Sequence, residues 1–216
     1  MTKLLIGRLV FIAASCVFVV VAGGGVAFIH RPVGALYMAL WVVWWLVTAG
    51  RQRGLPSAYE RSQRAIVMVL SIATVPVLIV APPWEYVYFT GPIPRDGPLA
   101  WVGLALFAAG IALTSAAMRA LHGLFTTRLG VQPGHRLVTN GPYRLIRHPG
   151  YLSHILCLTG IGLALSSLVA MGLTILVVPF ILWRIQREEE MLLAEFGEEY
   201  RTYMRQTKWR LIPLVY

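Results

Sequence analysis

The sequence predicts an all-α polytopic membrane bundle of about six transmembrane helices, the last two forming a hairpin, followed by a cytoplasmic amphipathic C-terminal helix. Three observations carry that expectation. Hydrophobic residues make up 57% of the 216-residue chain and charged residues only 13%, far from the balance of a soluble globular protein. The apolar residues fall in runs long enough to cross roughly 30 Å of hydrocarbon. With six spans and the N-terminus inside, 17 of the 19 Lys and Arg residues lie on the cytoplasmic side and only Arg31 and Arg95 lie outside, the asymmetry that the positive-inside rule demands of a correct span count.

Taken in order, the first four runs are about Leu4 to Ile29, Val33 to Ala49, Ala65 to Ala81 and Leu99 to Met118. Lys3 and Arg8 precede the first run as in a signal peptide, but it continues to Ile29 without a convincing cleavage site and reads as a retained span. Gly23 to Gly25 inside it would allow close helix packing. The proline- and aromatic-rich stretch Pro82 to Pro98 is expected at the outer interface as an irregular cap, with Glu85 and Asp96 as solvated loop charges. Tyr151 to Ile185 is too long for one span. Ser166 and Ser167 near its middle, flanked by Gly160, Gly162 and Gly172, divide it into a hairpin.

Beyond Arg187 the character changes, because six of the chain's nine acids fall between Glu188 and Glu199. Leu193, Phe196, Tyr200 and Tyr203 recur at helical spacing there, which predicts an amphipathic helix outside the bilayer that packs on another part of the chain. Lys208 to Tyr216 ends the sequence as an aromatic and basic tail expected at the membrane surface. No internal repeat or linker appears, so residues 1–216 read as one domain. Its parts are four spans in 1–118, a cytoplasmic cofactor loop in 119–150, the hairpin in 151–187, and the C-terminal helix and tail in 188–216.

A net charge of +10 would suggest nucleic acid in a soluble protein. Here the cations lie between apolar runs, where they set topology and meet anionic membrane lipid, so no nucleic-acid partner is expected. Cys16 and Cys157 sit in apolar runs without CxxC or CxxH company; no disulfide framework and no metal site is indicated.

The chemistry is expected where two segments converge. One is Leu137 to Leu152, LVTNGPYRLIRHPGYL, and the other is the glutamate cluster at the mouth of the last span. The hairpin returns the chain to the face it left, so the two become neighbours. Pro149 suits the first turn of a helix, where its missing N–H costs nothing, and leaves His148 beside free N–H groups that favour an anionic ligand group. Arg144 and Arg147 add positive charge, and Glu189 and Glu190 across the gap suit an ammonium. Together they would grip a zwitterionic amino-acid head. Tyr143 and Tyr151 offer flat faces for a ring such as adenine, and the Gly141-Pro142 turn lets backbone approach a ligand closely. Singly, each residue reads as an interfacial anchor, a helix start or a solvated turn; the conjunction carries the inference.

At these residues the sequence resembles the isoprenylcysteine carboxyl methyltransferases and their phospholipid methyltransferase relatives. The matching pieces are HRLVTNGPYRLIRHPGY from His135 and EEEMLLAEFGEEYRTYMRQTKWRLIP from Glu188, which follow the family's LVTxGPYxxxRHPxY and EExxLxxxFGxxYxxY patterns in the same order. The resemblance implies a membrane methyltransferase that binds S-adenosyl-L-methionine from the cytosol and admits a lipophilic or lipidated acceptor from the bilayer. It implies cofactor contacts at His135, Arg136, Leu137, Val138, Tyr143, Arg147, His148, Pro149, Gly150 and Tyr151, and at Glu189, whose carboxylate would meet the cofactor's amino group. In the carboxyl methyltransferases an arginine before the paired glutamates holds the acceptor carboxylate. Ile185 aligns there, flanked by Arg184 and Arg187, and Arg128 falls where those enzymes have a glutamine. A carboxylate acceptor would be oriented by Arg184 or Arg187, whereas an amine or hydroxyl would need a base, Glu190 or His148. Two alternatives stay open: a nicotinamide-dependent reductase, because sterol reductases carry a similar RHPxY and an aromatic tail, and a non-catalytic membrane protein of the same architecture.

Overall fold

The computed structural model describes residues 2–48, 76–121 and 137–216, which are all-helical with no strand among them. The elements are α1 (Thr2–Ala22), α2 (Val26–Ile29), α3 (Pro32–Thr48), α4 (76–88), α5 (Pro98–Ala120), α6 (Pro149–Ala164), α7 (Leu168–Phe196) and α8 (Glu198–Gln206), with a 3₁₀ turn at Gly141–Arg144. Among the described residues α5 and α7 are long and apolar enough to cross a membrane, and α3, α6 and Leu9–Ala22 are shorter apolar helices. Most of the run expected from Ala65 to Ala81 lies outside the described residues.

The first apolar run is not one continuous helix. Gly24 and Gly25 adopt φ of +76° and +71°, the left-handed region that residues with a Cβ avoid. They end α1, and the close packing expected here is present as well, since a Cβ on Gly23 would stand 2.7 Å from Phe28 and one on Gly24 2.5 Å from Tyr88 Oη. The chain then turns through α2, whose fully buried Phe28 meets Tyr86 edge-on at 5.6 Å. On α3, Tyr37 stacks on Phe107 of α5 at 5.7 Å.

The cap expected from Pro82 is also more ordered than its composition suggests. Helix α4 runs through Pro82 and Pro83, both fully buried, and irregular chain begins only after residue 88. Within an apolar bundle, neighbouring groups compensate the helix bond that a proline removes. Glu85 is not a solvated charge. It is 7% exposed and accepts hydrogen bonds from Ser167 Oγ and, at 3.3 Å, from Val169 N at the start of α7. Asp96 accepts from Tyr86 Oη and from Arg31 at 3.3 Å.

Helices α5 and α6 cross with their backbones in contact. A Cβ on Gly103 would stand 2.2 Å from Ala164 N, and one on Gly160 2.5 Å from Phe107 N. The hairpin turns where the serines predict: Ser166 takes φ +51°, and Ser167 Oγ caps α7 by accepting from Ala170 N at 3.0 Å. With 29 residues, α7 is about 43 Å long at 1.5 Å per residue, more than the roughly 30 Å of hydrocarbon. Its apolar part ends at Trp183, and the turns from Arg184 onward carry its charged residues. The C-terminal helix expected to begin at Glu188 is therefore the continuation of α7. Gly197, at φ +50°, is the first residue there that breaks the helix, and α8 follows with Tyr200 and Tyr203 buried.

Candidate functional site

The hairpin brings the start of α6 and the charged end of α7 to one end of the bundle, and the chain's last residues close over them. Glu189 on α7 is 3% exposed. Its Oε1 accepts from Arg147 Nε at 2.8 Å and lies 3.2 Å from His148 Nε2; an ionised carboxylate can only accept, so that imidazole nitrogen carries the proton. Its Oε2 accepts from Arg210 Nε at 2.9 Å and Nη2 at 2.8 Å. Burial by itself would raise this carboxyl, but the hydrogen bonds from His148 and Arg147 and their charges outweigh it and hold the group at about 2.

The cluster is fixed from a third direction by the tail. Arg147 Nη1 donates to the carbonyls of Thr207 at 2.7 Å and Lys208 at 2.8 Å. The backbone N–H groups of Arg147 and His148 donate to the carbonyls of Trp209 and Arg210, each at 2.9 Å. Arg210 Nη1 reaches Tyr216 Oη at 2.9 Å, and its guanidinium lies over that ring. Tyr203 Oη donates to Tyr143 O at 2.7 Å, tying α8 to the 3₁₀ turn. Leu211 is buried against Ile181 and Ile185, so the tail packs on α7 and the site; the exposed residues at its end are Ile212, Pro213, Leu214 and Val215.

Beside this buried set lies a softer one. Glu188 Oε2 is 3.7 Å from His148 Nδ1, and its side chain is 29% exposed. Tyr151, in the first turn of α6, accepts from the buried Arg184 Nε at 2.9 Å. Two guanidiniums against the single buried carboxylate of Glu189 leave positive charge in the cluster, and Glu188 is the acid next to it.

The geometry sorts the residues singled out by sequence. Arg147, His148 and Glu189 meet directly, with Pro149, Gly150, Tyr151 and Arg184 at the same end. Leu137 and Val138 are half-buried irregular chain. Leu137 lines an open pocket of about 340 Å³ with Thr139, Glu199, Thr202, Tyr203 and Gln206, and half-buried Tyr143 is joined to this wall through Tyr203. Arg187 and Glu190 pair with each other at 2.9 Å on the exposed face of α7, opposite the side that buries Arg184, Ile185 and Glu189. His135, Arg136 and Arg128 lie outside the described residues. Sequence reasoning missed Arg210. A buried carboxylate demands cations, but nothing local in KWRLIP says that the tail folds back to supply one.

Residues 101–194 match the model of the isoprenylcysteine carboxyl methyltransferase (ICMT) family. Over 108 residues, 49% of this chain, the sequence is 32% identical to a probable protein-S-isoprenylcysteine O-methyltransferase of Oryza sativa subsp. indica, and the match takes in 56% of that relative. Over 85 residues, 38% of this chain and 20% of the relative, it is 27% identical to a delta(14)-sterol reductase of Mus musculus. The chain thus spans about half the length of the methyltransferase it matches. In three dimensions it resembles the solved eukaryotic intramembrane Ras methyltransferase ICMT with a TM-score of 0.59 at 19% identity, covering 96% of this chain and 75% of that one, a likeness of fold. The segment that carries Arg147, His148 and Glu189 is thus the one that matches the isoprenylcysteine carboxyl methyltransferase family model.

Proposed function

We propose that the chain is an S-adenosyl-L-methionine-dependent methyltransferase acting on an isoprenylcysteine-like or other lipophilic acceptor at the cytoplasmic face of a membrane. The observation that carries this reading is the Arg147–His148–Glu189 cluster, built inside the family-matched segment at the mouth of a helical hairpin. The residues fit the cofactor. The guanidiniums of Arg147 and Arg210 outnumber the buried carboxylate between them, which suits a ligand carboxylate. Glu188, partly exposed beside His148, suits an ammonium. Tyr200 Oη, buried in this region, has no hydrogen-bond partner among the described residues.

In this reading Leu137, Val138 and Tyr143 line the adenosyl side, with His135 and Arg136 preceding them. Arg147, His148, Pro149, Gly150 and Tyr151 form the amino-acid side. Glu189 serves by holding Arg147 and His148 in place, since both its oxygens are engaged, and the direct contact to an amino group passes to Glu188. The cofactor supplies an electrophilic sulfonium methyl; the protein positions the nucleophile in line with it and excludes water. An isoprenylcysteine carboxylate is already ionised and needs a cation to orient it. Arg184, buried against Tyr151, is better placed for this than Arg187, which is paired outward with Glu190. The remaining acid, Glu190, has no base to play for such an acceptor.

The test is direct. Purified in detergent, the protein is expected to bind S-adenosylhomocysteine and to transfer radiolabelled methyl to an N-acylated S-farnesylcysteine. The local likeness to sterol reductases supports a second reading, a nicotinamide-dependent reductase. Binding of NADPH with no binding of S-adenosylhomocysteine would favour it and reject the first.

A further inference from the structure

Three buried polar side-chain atoms have no hydrogen-bond partner among the described residues: Tyr37 Oη, Trp45 Nε1 and Tyr200 Oη. Tyr37 and Trp45 lie on α3 among the aromatic rings of the apolar bundle. Tyr200 differs from both. It is 1% exposed on α8, and its ring is 5.8 Å from that of Tyr203, which is itself bonded to Tyr143 O. Burial raises its phenol well above the ordinary value, and the charges that act on it are those of Glu189, Arg147 and Glu188.

A phenol normally finds a partner when buried, because the hydroxyl loses its hydrogen bonds to water. Its helix adjoins the charged cluster, since Thr207 at the end of α8 donates to Tyr203 O and accepts from Arg147 Nη1, and the charged groups bond one another and not this hydroxyl: Arg147 with Glu189, Thr207 and Lys208, and Glu189 with Arg147, His148 and Arg210. A hydroxyl in such a place completes its bonding when a ligand brings a polar group of its own. A zwitterionic amino-acid end brings both a donor and an acceptor, and a tyrosine hydroxyl can serve either.

We infer that Tyr200 is a ligand-binding residue whose hydroxyl hydrogen-bonds the amino-acid end of the methyl donor between Glu188 and the Arg147–Glu189 pair. This rests on the methyltransferase reading above. It adds a contact from α8 and makes that helix part of the binding wall.

The test uses the full chain and Tyr200→Phe, which keeps the ring and removes only the hydroxyl. In the ligand-free protein, thermal unfolding should occur at the wild-type temperature or slightly above it, because an unpartnered buried hydroxyl is lost. S-Adenosylhomocysteine should bind about tenfold more weakly to the variant, the usual scale for one hydrogen bond to a charged group. The competitor 5′-methylthioadenosine, which lacks the amino-acid end, should bind both proteins equally. Three results overturn the inference: S-adenosylhomocysteine affinity within twofold of wild type, an equal loss for both ligands, or a clearly lowered unfolding temperature without ligand, which would reveal a protein partner for the hydroxyl. Failure of the wild-type protein itself to bind S-adenosylhomocysteine overturns the methyltransferase reading instead.

Discussion

At the scale of single residues, Glu189 matters more than its sequence context suggests. It is one of six acids between Glu188 and Glu199, yet it alone of them is fully buried, between Arg147, His148 and Arg210. Glu189→Gln leaves two guanidiniums without their counter-charge, and removing one partner of a buried ion pair costs about 3–5 kcal/mol. Arg187→Ala, which breaks an exposed pair, should cost no more than about 0.5 kcal/mol. Denaturation in detergent should separate the two variants plainly, and equal losses would reject the burial of the cluster. The same carboxylate sets a pH dependence. Its folded value of about 2 lies below the ordinary 4.5, so its stabilisation is present above pH 4.5 and disappears as pH falls towards 2, an amount of about 3 kcal/mol. Wild type should lose stability through that window by more than Glu189→Gln does. The sequence made Arg147, His148 and Glu189 legible because three weak signals converge across a hairpin. It could not reveal Arg210 or the saturation of Glu189, because both depend on the path of the tail after Gln206.

At the scale of elements, the legible features were those written in apolar length and punctuation: the hairpin turn at Ser166 and Ser167, the start of α6 at Pro149 and the amphipathic turns of α8. Less legible were glycines and prolines, whose meaning depends on surroundings. Gly23 and Gly24 pack closely on Phe28 and Tyr88 as expected, but Gly24 and Gly25 also end α1, which a reading as one continuous span does not anticipate. The close approach of α5 and α6 includes Gly103 and Gly160, which nothing in their local sequence distinguishes from Gly172. Geometry separates them, since a Cβ at Gly103 would meet Ala164 N at 2.2 Å while one at Gly172 would meet nothing within 4 Å. Gly103→Ala should therefore push α5 from α6 and destabilise by about 1–3 kcal/mol. Gly172→Ala should be neutral or slightly stabilising, as is usual when a helical glycine has room. Because α6 begins with Pro149, a displaced α6 should also weaken S-adenosylhomocysteine binding, and Gly172→Ala should not.

At the scale of the whole molecule, the two ends of the bundle divide the work. One end ties α4 to α7 through Glu85, Ser167 and Val169, and ties Arg31 and Tyr86 to Asp96. These contacts fix where α7 begins. The other end holds the cluster, and the hairpin of α6 and α7 runs between the two. For a soluble methyl donor to meet a membrane-held acceptor, the cluster must face the compartment that contains the donor. The proposed six-span arrangement, argued from the distribution of Lys and Arg, makes that compartment the cytoplasm. Thr90, exposed in the loop after α4, and Leu214, 85% exposed in the tail, then lie on opposite sides of the membrane. In intact cells, Thr90→Cys should react with a membrane-impermeant maleimide, whereas Leu214→Cys should react only after permeabilisation. Native Cys157 is buried and Cys16 lies in the first apolar run, so the background labelling should be low. Labelling of both positions from the same side would reject the six-span arrangement, and with it the cytoplasmic placement of the site.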